Sequence, residues 1–212
     1  MQAKSIEQAL DVVELYFGLV SGYNPSIRPK IAPNDAITEL NERFKEHGVG
    51  YQFVSGKIIR VDSEFLHVEA VKPALAVLRD DRFKGANEEF LSAHEHYRHG
   101  RYKESLVDAL KSFESTLKTI CSLREWSTQP TYTAKNLIDI CLENALLPKY
   151  LESQLSSISS LLKSGVPTLR NKNAGHGQGV DSVAVPDYFA RYALNLTATS
   201  ILFIVEAHQD KK

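Results

Sequence analysis

The sequence predicts a mainly α protein, with a C-terminal antiparallel helical bundle preceded by a small helical domain that contains one β-hairpin. Two observations support this fold class. Apolar side chains recur at steps of four and three residues from Leu106 to Ile120, which is the spacing of one buried helix face. The stretches YQFV and KIIRV are rich in strand-forming residues and flank Ser55 and Gly56, the pattern of a two-residue hairpin.

The predicted N-terminal domain covers residues 1–84. Helical spacing predicts helices over 4–20 and 33–47, and the second of these opens with Pro33, Asn34 and Asp35, which are favoured at helix starts. A further helix is expected from 63 to 78, after the hairpin. The stretch DRFKG at 81–85 is the expected domain boundary.

The predicted C-terminal domain covers residues 85–212 and is helical throughout. Its expected helices are ANEEFLSAHEHYRHG, a long helix beginning at RYKES, 133–145, one beginning at Pro148, and 186 to about 208. Spacing places Phe189, Tyr192, Leu196 and Phe203 on one side of the last helix. Gly165 and Pro167 interrupt the fourth helix, so the segment that follows joins two helices of the bundle.

Composition limits the function classes. The chain has 212 residues, 43% hydrophobic residues and a net charge of −1, which allows an ordinary core but gives no overall field for nucleic acid. No apolar run approaches the roughly 20 residues of a membrane span, and no basic-then-apolar leader follows Met1, so we expect a cytoplasmic protein without membrane contact. Cys121 and Cys141 lack a CxxC spacing and are expected to be buried thiols.

The stretch LRNKNAGHGQG, residues 169–179, is the strongest functional signal. Arg170 is followed by His176 in a glycine-rich break between helices, inside a region from 153 to 180 that has no Asp or Glu. Arginine offers a planar fork of donors that matches phosphate oxygens, and histidine exchanges protons near neutral pH. A surface loop whose arginine caps a helix end, with the histidine in water, remains an alternative interpretation.

The RNKNAGH stretch resembles the signature of the HEPN superfamily of ribonucleases. Glu114 and Lys118, in FESTLK, resemble the Glu-x-x-x-Lys pattern of several HEPN branches, although the same spacing also suits an ordinary helix ion pair. The segment from FESTLK to RNKNAGHG is most similar to the abortive-infection type of C-terminal HEPN domain. The front of the chain, from GYQFVSGKIIRV onward, is similar to N-terminal domains fused to it in bacterial anti-phage proteins.

The resemblance implies a metal-independent endoribonuclease that uses no cofactor and acts as a toxin or abortive-infection effector. Arg170 and His176 would be catalytic, while Asn171, Lys172, Glu114 and Lys118 would bind substrate or support the site. The expected partners are RNA, a second copy of the chain with the motif near the two-fold axis, and an antitoxin or other regulatory partner. A noncatalytic HEPN-like dimerisation or nucleic-acid-binding module is the alternative, and the hairpin loosely resembles a winged DNA-binding unit with Lys57 and Arg60 as a thin basic lining.

Two other histidine patterns are interpreted as unrelated to function. Arg60 and His67 also fit the pattern of an Arg followed by a His after four to six residues, but acidic Asp62 and Glu64 lie between them. A second pattern groups three histidines in one helix, and at about 100 degrees per residue they do not share a face, which argues against a metal site. These three histidines are His94, His96 and His99.

Overall fold

The computed structural model describes residues 6–21, 32–164 and 184–211. The described chain is mainly helical with one two-stranded antiparallel hairpin, which confirms the predicted fold class. It divides into two compact units, Met1–Glu64 and Phe65–Lys212. The domain boundary expected at residues 84 and 85 stays a prediction.

The N-terminal unit consists of two helices and the hairpin. Its elements are α1 (Ile6–Ser21), α2 (Pro33–Glu46), β1 (Tyr51–Val54) and β2 (Lys57–Arg60). The turn residues Ser55 and Gly56 both have positive φ, at 51° and 85°, as a type I′ hairpin turn requires. Leu10, Phe53 and Ile58 form the buried core of this unit.

Both edges of the hairpin are covered by side chains from the helices. Asn41 of α2 accepts a hydrogen bond from the Phe53 N–H at 2.7 Å and donates one to the Phe53 carbonyl at 3.0 Å. On the other edge, the Glu14 carboxylate of α1 accepts from the Ile58 N–H at 2.7 Å. Phe53 and Ile58 lie opposite each other in the hairpin. Their backbone groups point away from the partner strand, and the helix side chains bond to these groups. A two-stranded sheet is thereby held between two helices through polar contacts as well as through its core.

The C-terminal unit begins with an irregular helical stretch and continues with five longer helices. The stretch comprises α3 (Glu64–Leu66, which starts at the boundary of the two units), a π-helical turn (His67–Val71), α4 (Lys72–Leu78) and a 3₁₀ turn (Asp81–Phe83). The longer helices are α5 (Lys84–Arg98), α6 (Tyr102–Leu123), α7 (Ala134–Glu143), α8 (Glu152–Ser164) and α9 (Asp187–Asp210). A 3₁₀ turn, Lys149–Leu151, precedes α8 where the sequence predicted the helix to begin at Pro148.

Helix α6 lies at the centre of this unit, and α5, α7, α8 and α9 all pack against it. The predicted apolar stripe is confirmed at Leu106, Phe113, Leu117 and Ile120, which are all buried, while Leu110 is only partly buried. With 22 residues, α6 is the common packing partner of these four helices. Packing along its whole length explains why its apolar pattern is the clearest in the sequence.

The inward face of α9 differs from the apolar side that its spacing suggested. Tyr192 is 52% exposed and Phe203 is 39% exposed, whereas the buried face is built from alanine, threonine and aliphatic residues such as Ala193, Ala198 and Ile201. Small side chains allow close helix approach, so α9 sits tightly in the bundle with its aromatics outside. Within the described residues, α9 is also the one helix long and apolar enough to span a membrane, and about 50% of that window is buried, as in the core helix of a globular domain.

The far ends of α6 and α9 are joined through Arg124. Its guanidinium donates to the His208 ring nitrogen Nδ1 at 3.0 Å and to the His208 carbonyl at 2.8 Å. The carbonyl belongs to the last turn of α9, where unpaired carbonyls need donors. Cys121 and Cys141 lie nearby in α6 and α7 as free buried thiols, as the sequence predicted.

Candidate functional site

The four motif residues Arg170, Asn171, Lys172 and His176 lie in residues 165–183, outside the described residues. Their roles therefore stay predictions. The structure does describe the two helices that flank this segment in the chain, α8 up to Ser164 and α9 from Asp187. It also describes the other two candidate residues, which both lie on α6.

Glu114 contacts the start of a neighbouring helix. Its carboxylate oxygen Oε1 accepts a hydrogen bond of 2.8 Å from the backbone N–H of Ala134, the first residue of α7. The first N–H groups of a helix have no partner inside the helix, and the N-terminal end of the helix dipole favours a negative charge. Glu114 therefore stabilises α7 at its N-terminus and fixes the position of that end against α6.

Lys118 lies one turn after Glu114 and is partly buried. Among the described residues, the ion pairs do not include one between these two side chains. Lys118 instead lies in the electrostatic field of Glu89 on α5. Burial raises the pKa of the Glu89 carboxyl, and a hydrogen bond from Ser115 together with the charges of Lys111 and Lys118 offsets part of that rise. Of the two residues in the Glu-x-x-x-Lys pattern, Glu114 bonds to a second helix, whereas Lys118 makes only a minor electrostatic contribution at Glu89.

The histidines of α5 have separate environments. The His94 ring is wholly buried and packs edge-on against Phe90, with ring centroids 4.8 Å apart. His96 instead points its Nε2 to the Asp108 carboxylate of α6 at 3.3 Å. Although burial raises the pKa of Asp108, hydrogen bonds from Lys111 and Ser92 hold it below its usual range. Within the described residues, no group of three or more His, Cys, Asp or Glu side chains could hold a metal ion.

The cations of the hairpin are paired with acids. Lys57 lies 3.3 Å from the Glu14 carboxylate, and Arg60 lies 2.7 Å from the Asp62 carboxylate. A wing that binds the phosphates of DNA needs cations free to face the duplex. These pairs weaken the interpretation of the hairpin as a DNA-binding wing. His67, the other half of the second Arg-to-His match, is buried in the π-helical turn.

A groove between α7 and α8 was missed by the sequence analysis. It has a volume of about 570 Å³ and is lined by Lys135 of α7, by Lys149 and Tyr150 of the 3₁₀ turn, and by Glu152, Ser153, Ser156 and Ser160 of α8. We call it the α7–α8 groove. Its residues come from positions up to 25 apart in sequence, so no local pattern groups them. The partial signal was the acid-free region from residue 153, which includes the serine face of α8.

The described chain is thus an α-helical bundle, with two candidate residues on its central helix, joined to a small helical unit that carries a hairpin. Residues 84–208 match the Abi_C family of HEPN-like domains, and residues 1–76 match AbiJ N-terminal domain 4. The chain belongs to the HEPN-like family of abortive-infection proteins. The searches of curated proteins and of solved structures each found no match.

Proposed function

We propose that this protein is a metal-independent endoribonuclease that acts as a toxin or anti-phage effector in abortive infection. The observation that carries the proposal is the RNKNAGH stretch, which lies inside the residues matched by the HEPN-like family. Membership of an abortive-infection family supports a role in defence. The family resemblance implies RNA as the substrate.

The chemistry fits the proposed residues. The 2′-oxygen of a ribose loses its proton and attacks the adjacent phosphorus, the bond from phosphorus to the 5′-oxygen breaks, and that oxygen takes up a proton. Histidine can serve either proton transfer near neutral pH, with a typical contribution of about 10²- to 10⁴-fold in rate. Arginine keeps its charge and can donate two hydrogen bonds to the phosphoryl oxygens as negative charge develops on them. His176 and Arg170 would take these roles.

The other candidate residues would support the reaction. Asn171 would orient the RNA or the imidazole through its amide, and Lys172 would attract the phosphate backbone. Glu114 would act through the fold, because its carboxylate holds the start of α7. Lys118 would add positive charge on α6.

A homodimer would complete the site. One histidine cannot easily act as both base and acid in one turnover, and a two-fold axis would bring two copies of the motif to one scissile bond. Static light scattering tests this point, because a protein that stays monomeric at micromolar concentration would contradict a shared site. A toxin of this kind acts on cytoplasmic RNA and needs a regulatory partner or antitoxin to keep it silent.

The function is tested by incubating purified protein with total bacterial RNA in excess EDTA. We expect the wild type to cleave, and Arg170→Ala and His176→Ala each to lose at least about 100-fold in rate. Matched controls are Arg43→Ala and His47→Ala, which alter exposed residues of α2 and of its C-cap and should cleave like the wild type. Loss of cleavage on chelation, or equal cleavage by all variants, would refute the metal-free Arg and His mechanism.

A further inference from the structure

We infer that the α7–α8 groove binds single-stranded RNA. The inference rests on the proposed function, because it names the surface that would hold the substrate of that site. The groove has the three chemical features that such binding uses: unpaired cations, an exposed aromatic ring and a row of hydroxyls. Each can be traced to named residues.

The cations are Lys135 and Lys149. Both side chains are exposed, and within the described residues no ion pair joins either lysine to a carboxylate. Other lysines of the described chain are used differently, since Lys45 and Lys111 each lie 2.8 Å from an acidic oxygen. Each of these two lysines can therefore bind a phosphate of the RNA and displace the counterions of that phosphate.

The aromatic ring is Tyr150. It is 79% exposed, the highest value among the large apolar side chains of the described residues. Aromatic side chains are usually largely buried. Packing within the C-terminal unit therefore does not explain why Tyr150 is exposed. A ring beside a basic groove can stack on a base of any sequence, and only unpaired bases offer a free face. This favours a single strand over a duplex.

The hydroxyls are those of Ser153, Ser156 and Ser160, which recur at steps of three and four and so lie on one face of α8. They extend over about 10 Å of helix at 1.5 Å per residue. Small polar side chains let a sugar–phosphate chain approach the helix. The Ser160 hydroxyl donates to the Ser156 carbonyl at 2.8 Å and the Ser153 hydroxyl to the Gln154 side chain at 3.1 Å, so each would turn away from that partner to donate to a phosphate oxygen. One acidic residue, Glu152, also lines the groove, and it should weaken binding.

Each wall of the groove is a helix that is related to a candidate residue, one by a hydrogen bond and the other by sequence. Glu114 holds the first residue of α7, directly before Lys135. On the other wall, α8 continues in sequence into residues 165–183, which contain the Arg170 and His176 motif. An RNA strand bound along this groove would contact α7, which Glu114 positions, and α8, which precedes the Arg170 and His176 motif in sequence.

The test uses the full chain carrying His176→Ala, so that the RNA is not cut, and a fluorescein-labelled oligouridylate of about 12 nucleotides. Fluorescence anisotropy gives the Kd between about 50 and 200 mM salt. We expect Lys135→Ala with Lys149→Ala to reduce the slope of log Kd against log salt by about 1.4, at about 0.7 for each lost phosphate contact. Tyr150→Ala should weaken binding about 5-fold or more without changing that slope, and Glu152→Gln should strengthen it.

The matched controls are Lys103→Ala and Tyr16→Ala. Lys103 lies on α6, eleven residues before Glu114 or about 16 Å along the helix, and like the groove lysines it has no ion pair within the described residues. Tyr16 is 62% exposed on α1 of the N-terminal unit. Both controls should bind like the parent protein. Far-ultraviolet circular dichroism confirms that each variant is folded.

The outcomes separate the groove from the nuclease. If the parent protein does not bind the probe, or if the groove variants bind with the parent's affinity and salt slope, the groove proposal is overturned. If the wild type cleaves RNA while groove variants bind and cleave normally, the groove is wrong and the ribonuclease stands. If no protein cleaves but the groove variants lose binding as expected, the groove stands and the ribonuclease is wrong. Groove variants that change the oligomeric state and leave RNA binding intact would also overturn the groove.

Discussion

The carboxylate of Glu114 on α6 accepts a hydrogen bond from the backbone N–H of Ala134, the first residue of α7, at 2.8 Å. A residue of the Glu-x-x-x-Lys pattern is therefore a helix-positioning group in this chain. We predict that Glu114→Ala lowers the free energy of unfolding by about 1–2 kcal/mol, because an N–H at a helix start loses its acceptor. Glu114→Gln keeps an acceptor oxygen and should lose less.

This prediction is measured by urea unfolding followed through the fluorescence of Trp126, the single tryptophan of the chain, which lies in the C-terminal unit. Glu143→Ala, an exposed acidic residue at the other end of α7, is the control and should leave the midpoint nearly unchanged. A Glu114→Ala variant as stable as the wild type would show that the bond to Ala134 contributes nothing.

Stability should fall on acidification because of His94. Burial, and then the nearby charge of His67, lower the pKa of His94 to about 3, whereas an unfolded histidine has a pKa of about 6.5. Between these two values the unfolded chain binds a proton that the folded chain does not. The contribution is thus fully present above about pH 6.5 and is lost as pH falls, by up to about 1.4 kcal/mol per pH unit.

The measurement compares urea midpoints of wild type and His94→Phe from neutral to mildly acidic pH. The phenylalanine keeps a ring against Phe90 but does not titrate, so its stability should fall less steeply with acid. The slope is the readout, which separates titration from any change in packing. His47→Gln, at an exposed histidine, should keep the wild-type slope. Parallel curves for wild type and His94→Phe would rule out His94 as the cause.

The hairpin depends on the side chains that bond its edges. Asn41→Ala removes both the acceptor for the Phe53 N–H and the donor to the Phe53 carbonyl, and we expect a loss of about 1–3 kcal/mol in the N-terminal unit. Amide hydrogen exchange over residues 51–60 should become faster. Asn34→Ala, at a residue near the start of the same helix, is the control for an asparagine substitution in α2. Unchanged exchange in Asn41→Ala would mean that the core alone holds the hairpin.

The fold was predictable where local chemistry decides it. The Ser55 and Gly56 turn set the hairpin and its register, because a two-residue loop with positive φ at both positions permits few alternatives. The apolar stripe of α6 was predictable because the helix is packed along its length. The π-helical turn His67–Val71 was not, since nothing in its sequence distinguishes it from the α-helix that was expected there.

The relationships across the fold were less predictable. Spacing drew attention to Tyr192 and Phe203, but they are largely exposed. The buried face of α9 combines small residues such as Ala193 with aliphatic residues such as Ile201, because close packing as well as hydrophobicity decides which side turns inward. Glu114 was singled out for its spacing to Lys118, and its actual partner lies 20 residues away in sequence. The Arg170 and His176 motif came from residue type, spacing and family resemblance, and its geometry stays a prediction.

The central claim is that the Arg170 and His176 segment cleaves RNA through the 2′-hydroxyl without a metal. The most direct measurement treats one RNA and its 2′-O-methylated copy with wild-type protein in EDTA and identifies the product ends by mass spectrometry. We predict cleavage of the unmodified RNA to a 2′,3′-cyclic phosphate and a 5′-hydroxyl, an intact methylated copy, and no cleavage by His176→Ala. Equal cleavage of the unmodified and the methylated RNA, or cleavage by His176→Ala at the wild-type rate, would contradict the claim.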